Sequence, residues 1–117
     1  MALICKLPSS GGSNVKFASG TITGTSSTTT TNITFDFVPN YVCLMLPNYS
    51  GELRTPCIVY RRTGTNKWSI SQYSKAIHNY YDGSGGSDMA AITAINDSKM
   101  TVTIYGYSQN FMWTAWQ

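Results

Sequence analysis

Ile33-Thr-Phe-Asp-Phe-Val-Pro-Asn-Tyr-Val-Cys-Leu-Met-Leu46 decides the fold class of this chain. Ile33, Phe35 and Phe37 alternate with Thr34 and Asp36, the period of a strand with one dry face. Val38-Pro39-Asn40 interrupts the ladder, because proline has no N–H to donate. Tyr41 to Leu46 is apolar on both faces, which predicts a central strand covered on each side. Two strands joined at a proline set an all-β frame.

The flanking sequence extends that frame. Val15 to Thr23 reads as a strand, with Val15 and Phe17 facing one way and Ala18 and Ile22 the other. The slip in phase near Ser19-Gly20 predicts a bulge. Thr25 to Asn32 is a Ser/Thr run, read as a turn flowing into the Ile33 strand, and Asn48 to Gly51 is a second turn. Cys57 to Arg62 and Lys67 to Ser71 form a hairpin across Thr63-Gly64-Thr65-Asn66, with Trp68 and Ile70 on one face. Gln72 to Asp88 lacks strand patterning and ends in Asp82-Gly-Ser-Gly-Gly-Ser-Asp88, so it reads as a long excursion of the functional kind. Met89 to Ile95 is a strand candidate, although its alanines also allow a short helix. In Met100 to Tyr107, Met100, Val102 and Ile104 face in, while Thr101, Thr103, Tyr105 and Tyr107 face out. Phe111 to Trp116 closes the pattern with Phe111, Trp113 and Ala115 on one face. Strands at this spacing predict an antiparallel, jelly-roll-like β-sandwich over residues 15–117. Residues 1–14 read as an N-terminal arm with a Gly/Ser connector, suited to pairing with a neighbouring subunit.

Composition narrows the function classes. The 117 residues include 11% charged and 13% aromatic side chains. Globular proteins average about 25% charged. A surface poor in charge and rich in hydroxyls and tyrosines suits adhesive and oligomeric β-proteins. The net charge of +3 is weak, and the dense basic spot is Arg61-Arg62 with Lys67 nearby, so no nucleic-acid partner is expected. Nor is a membrane span, since no long apolar window occurs. The opening Met-Ala-Leu-Ile-Cys-Lys-Leu-Pro lacks the pattern of a signal peptide. Cys5, Cys43 and Cys57 contain no C-x-x-C pair and read as small apolar residues, with a Cys43–Cys57 bridge between neighbouring strands as the alternative.

No catalytic constellation stands out, and no enzyme, cofactor or metal is expected. His78 is the single histidine. Asp82 and Asp88 flank the Gly/Ser segment and are the one suggestive carboxylate pair, but they lack the ligand alternation of a calcium loop and read more simply as solubilising charges. Tyr73, His78, Tyr80, Tyr81 and Asp82 crowd the same excursion. Tyrosine presents a flat ring and a polar tip, so sugar C–H faces can stack there while Asp and His hydrogen-bond the hydroxyls. These five residues are the candidate ligand site. Folding back to cover the sandwich end or a subunit contact is the alternative for Tyr80 and Tyr81.

Phe17-Ala-Ser-Gly-Thr-Ile-Thr23, the Ile33–Leu44 stretch with its Phe-x-Pro-x-Tyr-Val signature from Phe37 to Val42, and the ending Tyr105-Gly-Tyr107 with Phe111-Met-Trp-Thr-Ala115 resemble small bacteriophage and prophage structural modules. The resemblance implies a β-sandwich in a tail, fibre or capsid appendage, assembled as a homo-oligomer, with a trimer favoured. It implies a virion protein joined to other virion proteins; the missing signal-peptide pattern adds synthesis in the bacterial cytoplasm, and the tyrosine-rich excursion adds contact with host-surface glycan. Trp116-Gln117 departs from the small residue usual at that ending. A free-standing bacterial carbohydrate-binding module is the second reading and a small hydrolase the third.

Overall fold

The computed structural model describes residues 16–51, 53–72, 75–79 and 87–117, with Arg54 and Gln72 described by backbone alone. The expected arm at 1–14, with Cys5, lies outside them. The strands are β1 (Phe17–Thr23), β2 (Thr28–Thr34), β3 (Tyr41–Met45), β4 (Leu53–Thr55), β5 (Cys57–Gly64), β6 (Lys67–Gln72), β7 (Ala76–Asn79), β8 (Asp88–Ile95), β9 (Lys99–Tyr105) and β10 (Asn110–Trp116). They form two five-stranded sheets, ordered β1-β10-β3-β5-β6 and β2-β9-β8-β7-β4. Every pairing is antiparallel. The protein is an antiparallel β-sandwich. Only β5–β6, β7–β8 and β8–β9 join neighbours within a sheet; the other connections change layer.

The interior follows the period-2 pattern. Ile22, Val42, Leu44, Ile58, Phe111 and Ala115 line one sheet, and Ile33, Ile77, Ala90, Ile92, Met100, Val102 and Ile104 line the other. Trp68, Trp113, Tyr60 and Phe37 pack against this core from its margin. β3 occupies the centre of its sheet, as its two apolar faces require. Cys43 is buried, but on the outward side of β3, and it is not part of the shared core. Cys43 and Cys57 are both free thiols. Burial, and then the neighbouring Cys57, push the Cys43 thiol up to about 12, so it is inert as a nucleophile.

Several local expectations are corrected. The Ser/Thr run is strand rather than turn from Thr28, and β2 ends at Thr34. Threonine is β-branched and pays little to extend, and β9 supplies partners along all seven residues. Phe35 and Phe37 keep the alternation beyond the ladder. Met89–Ile95, by contrast, is strand as expected, within β8. The bulge expected near Gly20 is absent: β1 pairs with β10 without a shift, and Ala18, Gly20 and Ile22 all face inward. Gly20 is small because the Trp113 indole from the opposed residue lies over it. A Cβ there would stand 2.7 Å from Trp113 Nε1. β4 and β7 carry too few residues to show a period and were not foreseen.

One end of the sandwich is closed by a carboxylate. Asp97, in the β8–β9 turn, accepts Arg62 Nε at 2.9 Å and Nη2 at 2.8 Å, the Asn66 N–H at 3.0 Å and Trp68 Nε1 at 3.2 Å. The Asp97 N–H donates back to Asn66 Oδ1 at 3.1 Å. Asn66 sits in the left-handed region at φ 55°, which asparagine tolerates. The β5–β6 hairpin of one sheet is thereby fastened to the β8–β9 turn of the other. The hydrogen bonds from Arg62, then those from Asn66 and Trp68, hold the Asp97 carboxyl down at about 2.

Two outcomes follow from this geometry. Gly20→Val should lower stability by about 1–3 kcal/mol through overpacking against Trp113, whereas Ser19→Val, on the exposed face, should not; urea midpoints at constant slope check this. Asp97 has a folded-state value below its unfolded one. Its contribution is therefore complete above about pH 4 and is lost as pH falls toward about 2. The stability gap between the parent and Asp97→Asn should shrink across that window, measured by denaturant melts at stepped pH.

Candidate functional site at the base of the 80–86 segment

The expected long excursion is partly a strand. Ala76–Asn79 forms β7, so His78 lies on a strand that pairs with both β4 and β8. Ala76, Ile77 and Asn79 are buried and His78 half-buried, a pattern without alternation that hid the strand in the sequence. Residues 80–86 then join β7 to β8. Tyr73, Tyr80, Tyr81 and Asp82 lie outside the described residues. Of the five candidate site residues, the structure places His78.

His78 Nδ1–H donates to Asp88 Oδ1 at 2.8 Å, across the first rung of the hairpin. Asp88 is thus the partner of the histidine, not simply a solubilising charge. Its side chain is 60% exposed, so water screens the pair and its value is positional. The carboxylate fixes which ring nitrogen carries the proton and which way the imidazole faces.

A second set of bonds lies beside it. Asn79 is 3% exposed. Its Oδ1 accepts the Ser87 N–H at 2.7 Å, its Nδ2 donates to Tyr107 Oη at 3.2 Å, and its backbone N–H donates to the Ser87 carbonyl at 3.1 Å. Ser87 Oγ and Tyr107 Oη are 2.5 Å apart. Tyr107 therefore does not face outward from a strand. β9 ends at Tyr105, and Gly106 at φ 81° turns the chain so that Tyr107 packs against the core margin with its hydroxyl on the hairpin. Tyr105 does remain 39% exposed. The sequence could not announce Asn79, Ser87 and Tyr107 as a unit, because the hydroxyl partner is 28 residues away from Asn79.

Ser87 Oγ is engaged with Tyr107, and Asp97 is spent on Arg62 in the clamp. Among the described residues, no three of His, Cys, Asp and Glu gather in a way that would hold a metal ion. Phe111 and Phe35 are buried in the core, and Tyr60, Trp68 and Trp113 pack against it. Tyr41 and Trp116, paired between β3 and β10, stack at 5.6 Å with 18° between planes. Phe17 continues the row on β1, opposite Trp116, and is 54% exposed. No protein family, curated protein or solved structure matches the chain.

Tyr107→Phe removes the hydroxyl and leaves the buried Asn79 amide one partner short. A loss of about 1–2 kcal/mol is expected, with faster proteolytic cleavage between Asn79 and Ser87 than in the parent. Tyr105→Phe, altered at an exposed ring, should change neither.

Proposed function

We propose that the chain is a non-enzymatic appendage module of a phage or prophage virion, contacting host-surface glycan through the segment that joins β7 to β8. The observation that carries this reading is the braced base of that segment. Asn79, Ser87 and Tyr107 form a closed set of bonds, and His78 and Asp88 form a second contact beside it. Both ends of the segment are fixed before any ligand arrives, which lowers the ordering cost of binding. Its sequence, Tyr80-Tyr-Asp-Gly-Ser-Gly-Gly86, offers two rings for stacking on sugar faces and a carboxylate for hydroxyls. Tyr73 and His78 stand close to it in sequence.

The low charge of the chain supports uncharged recognition over attraction to nucleic acid. The Phe17–Thr23 and Ile33–Leu44 stretches, and the aromatic ending, support placement among phage structural modules. The reading calls for no cofactor. Its partners are glycan, other virion proteins and further copies of the chain, and its place is the virion.

A bacterial-surface glycan array tests it. The parent should bind a defined subset of glycans, and Tyr80→Ala/Tyr81→Ala should weaken that binding at least tenfold while melting at the parent's temperature. A parent that binds no glycan, or a double variant that binds as the parent does, would remove the assignment.

A further inference from the structure

The four edge strands of the sandwich are unequally protected. β4 is three residues long, contains Arg54, pairs irregularly with β7 and runs into Pro56. β6 opens on Lys67 and pairs with β5 through two register shifts. Short length, charge, proline and bulges are the usual devices that stop an edge from recruiting another strand. β1 and β2 have none of them. Each is seven residues long, each pairs with its neighbour without a shift, and neither contains an ionisable residue or a proline.

The two unguarded edges lie on the same side. β1 and β2 are the end strands of opposite sheets, and only residues 24–27 join them. Four extended residues span about 13 Å, little more than the roughly 10 Å between packed sheets. That side therefore presents two regular edges, one above the other. Among the described residues, β10 is the one strand beside β1. Phe17, at the end of the outward aromatic row, is left more than half exposed at this edge.

We infer that β1 is the interface with a second copy of the chain, the two β1 strands pairing antiparallel about Gly20 so that one sheet continues into the other. The sequence Phe17-Ala-Ser-Gly-Thr-Ile-Thr23 is complementary to itself in this register. Phe17 faces the partner copy's Thr23, Ala18 faces its Ile22 and Ser19 faces its Thr21. Both core-side contacts, at Ala18 and Ile22, are apolar, and no like charges are opposed. The contact is isologous and closes as a dimer. A seven-residue edge is about 24 Å long, and two layers about 20 Å deep give a footprint of roughly 500 Å² per copy. That is the low end for a specific interface, so the dimer should be weak and concentration-dependent. The surface adds self-assembly to the proposed appendage role and rests on the edges alone, not on glycan binding.

The test is sedimentation velocity on the full chain from micromolar to millimolar concentration, with charge placed on exposed β1 positions. Ser19 and Thr21 face solvent, so lysines there leave the core untouched. The parent should pass from monomer to dimer. Ser19→Lys/Thr21→Lys sets like charges opposite one another and should weaken the dimer at least tenfold. Ser19→Lys/Thr21→Glu sets opposite charges in the same register and should restore it. Ser69→Lys/Ser71→Lys, on the exposed side of β6, should dimerise as the parent does. Melting curves confirm that each variant is folded. A parent still monomeric at millimolar concentration, the result if residues of the same chain occupy β1, would overturn the inference. So would a trimer, or an oligomer indifferent to both β1 variants, or one broken equally by the matched and mismatched pairs. Glycan binding by the folded Ser19→Lys/Thr21→Lys monomer reports separately on the proposed function.

Discussion

A dry interior shared by two sheets forces the chain to cross from layer to layer without leaving backbone groups unpaired. Each crossing meets that demand in its own way. Between β2 and β3 the chain turns at Pro39, which is fully buried and has no N–H to satisfy. On either side of it, the Phe35 N–H reaches the Ser98 carbonyl at 2.8 Å and the Asn40 N–H reaches the Trp116 carbonyl at 2.8 Å. The Asn40 carbonyl accepts the Arg62 N–H at 2.9 Å. Between β1 and β2 the Gly24 N–H bonds the Gln109 carbonyl at 2.8 Å, and between β3 and β4 the Leu46 N–H bonds the Pro56 carbonyl at 3.2 Å. The corners thus tie together strands that are far apart in sequence, and the core on its own does not explain the order in which the strands are laid down.

The Asp97 clamp solves the same problem with a charge. Its carboxylate gathers donors from β5, β6 and the turn between them, in the opposite sheet. Asp97 and Arg62 retain side-chain exposures of 15% and 26%. That partial contact with water keeps the desolvation cost of the pair low while its bidentate geometry stays specific. A chain with so few charges spends this pair on joining layers.

What the sequence disclosed follows from how far each signal reaches. Ile33, Met100–Ile104 and Phe111–Ala115 were legible because one-sided burial writes a period of two into consecutive residues. The threonines of β2 were not, because a hydroxylated, β-branched run satisfies turn and strand equally until β9 is placed beside it. β7 escaped because burial on both sides erases alternation, and β4 because three residues hold no period. At the candidate site, the tyrosines and His78 drew notice by crowding, a local signal. Asn79, Ser87 and Tyr107 became visible only when Gly106 turned Tyr107 back toward the hairpin. The Asp97–Arg62 pair, 35 residues apart, had no local signal at all.

The unequal edges place the two proposed surfaces in relation to each other. In the sheet ordered β2-β9-β8-β7-β4, β8 and β7, with Ser87 and Asn79 at their ends, lie two to three strands from β2, and hence from the unguarded side. Pairing through β1 therefore leaves the Asn79 and Ser87 hairpin base away from the seam in both copies. The two-fold axis of antiparallel β1 strands runs perpendicular to the sheets and reverses strand direction between copies. The two Asn79–Ser87 hairpin bases then lie at opposite ends of the pair. Such an arrangement does not double the grip on one flat surface, as two sites facing the same way would. On the proposed glycan reading, one dimer would hold two separate ligands, one at each end, so avidity for a single surface would require a further contact between dimers.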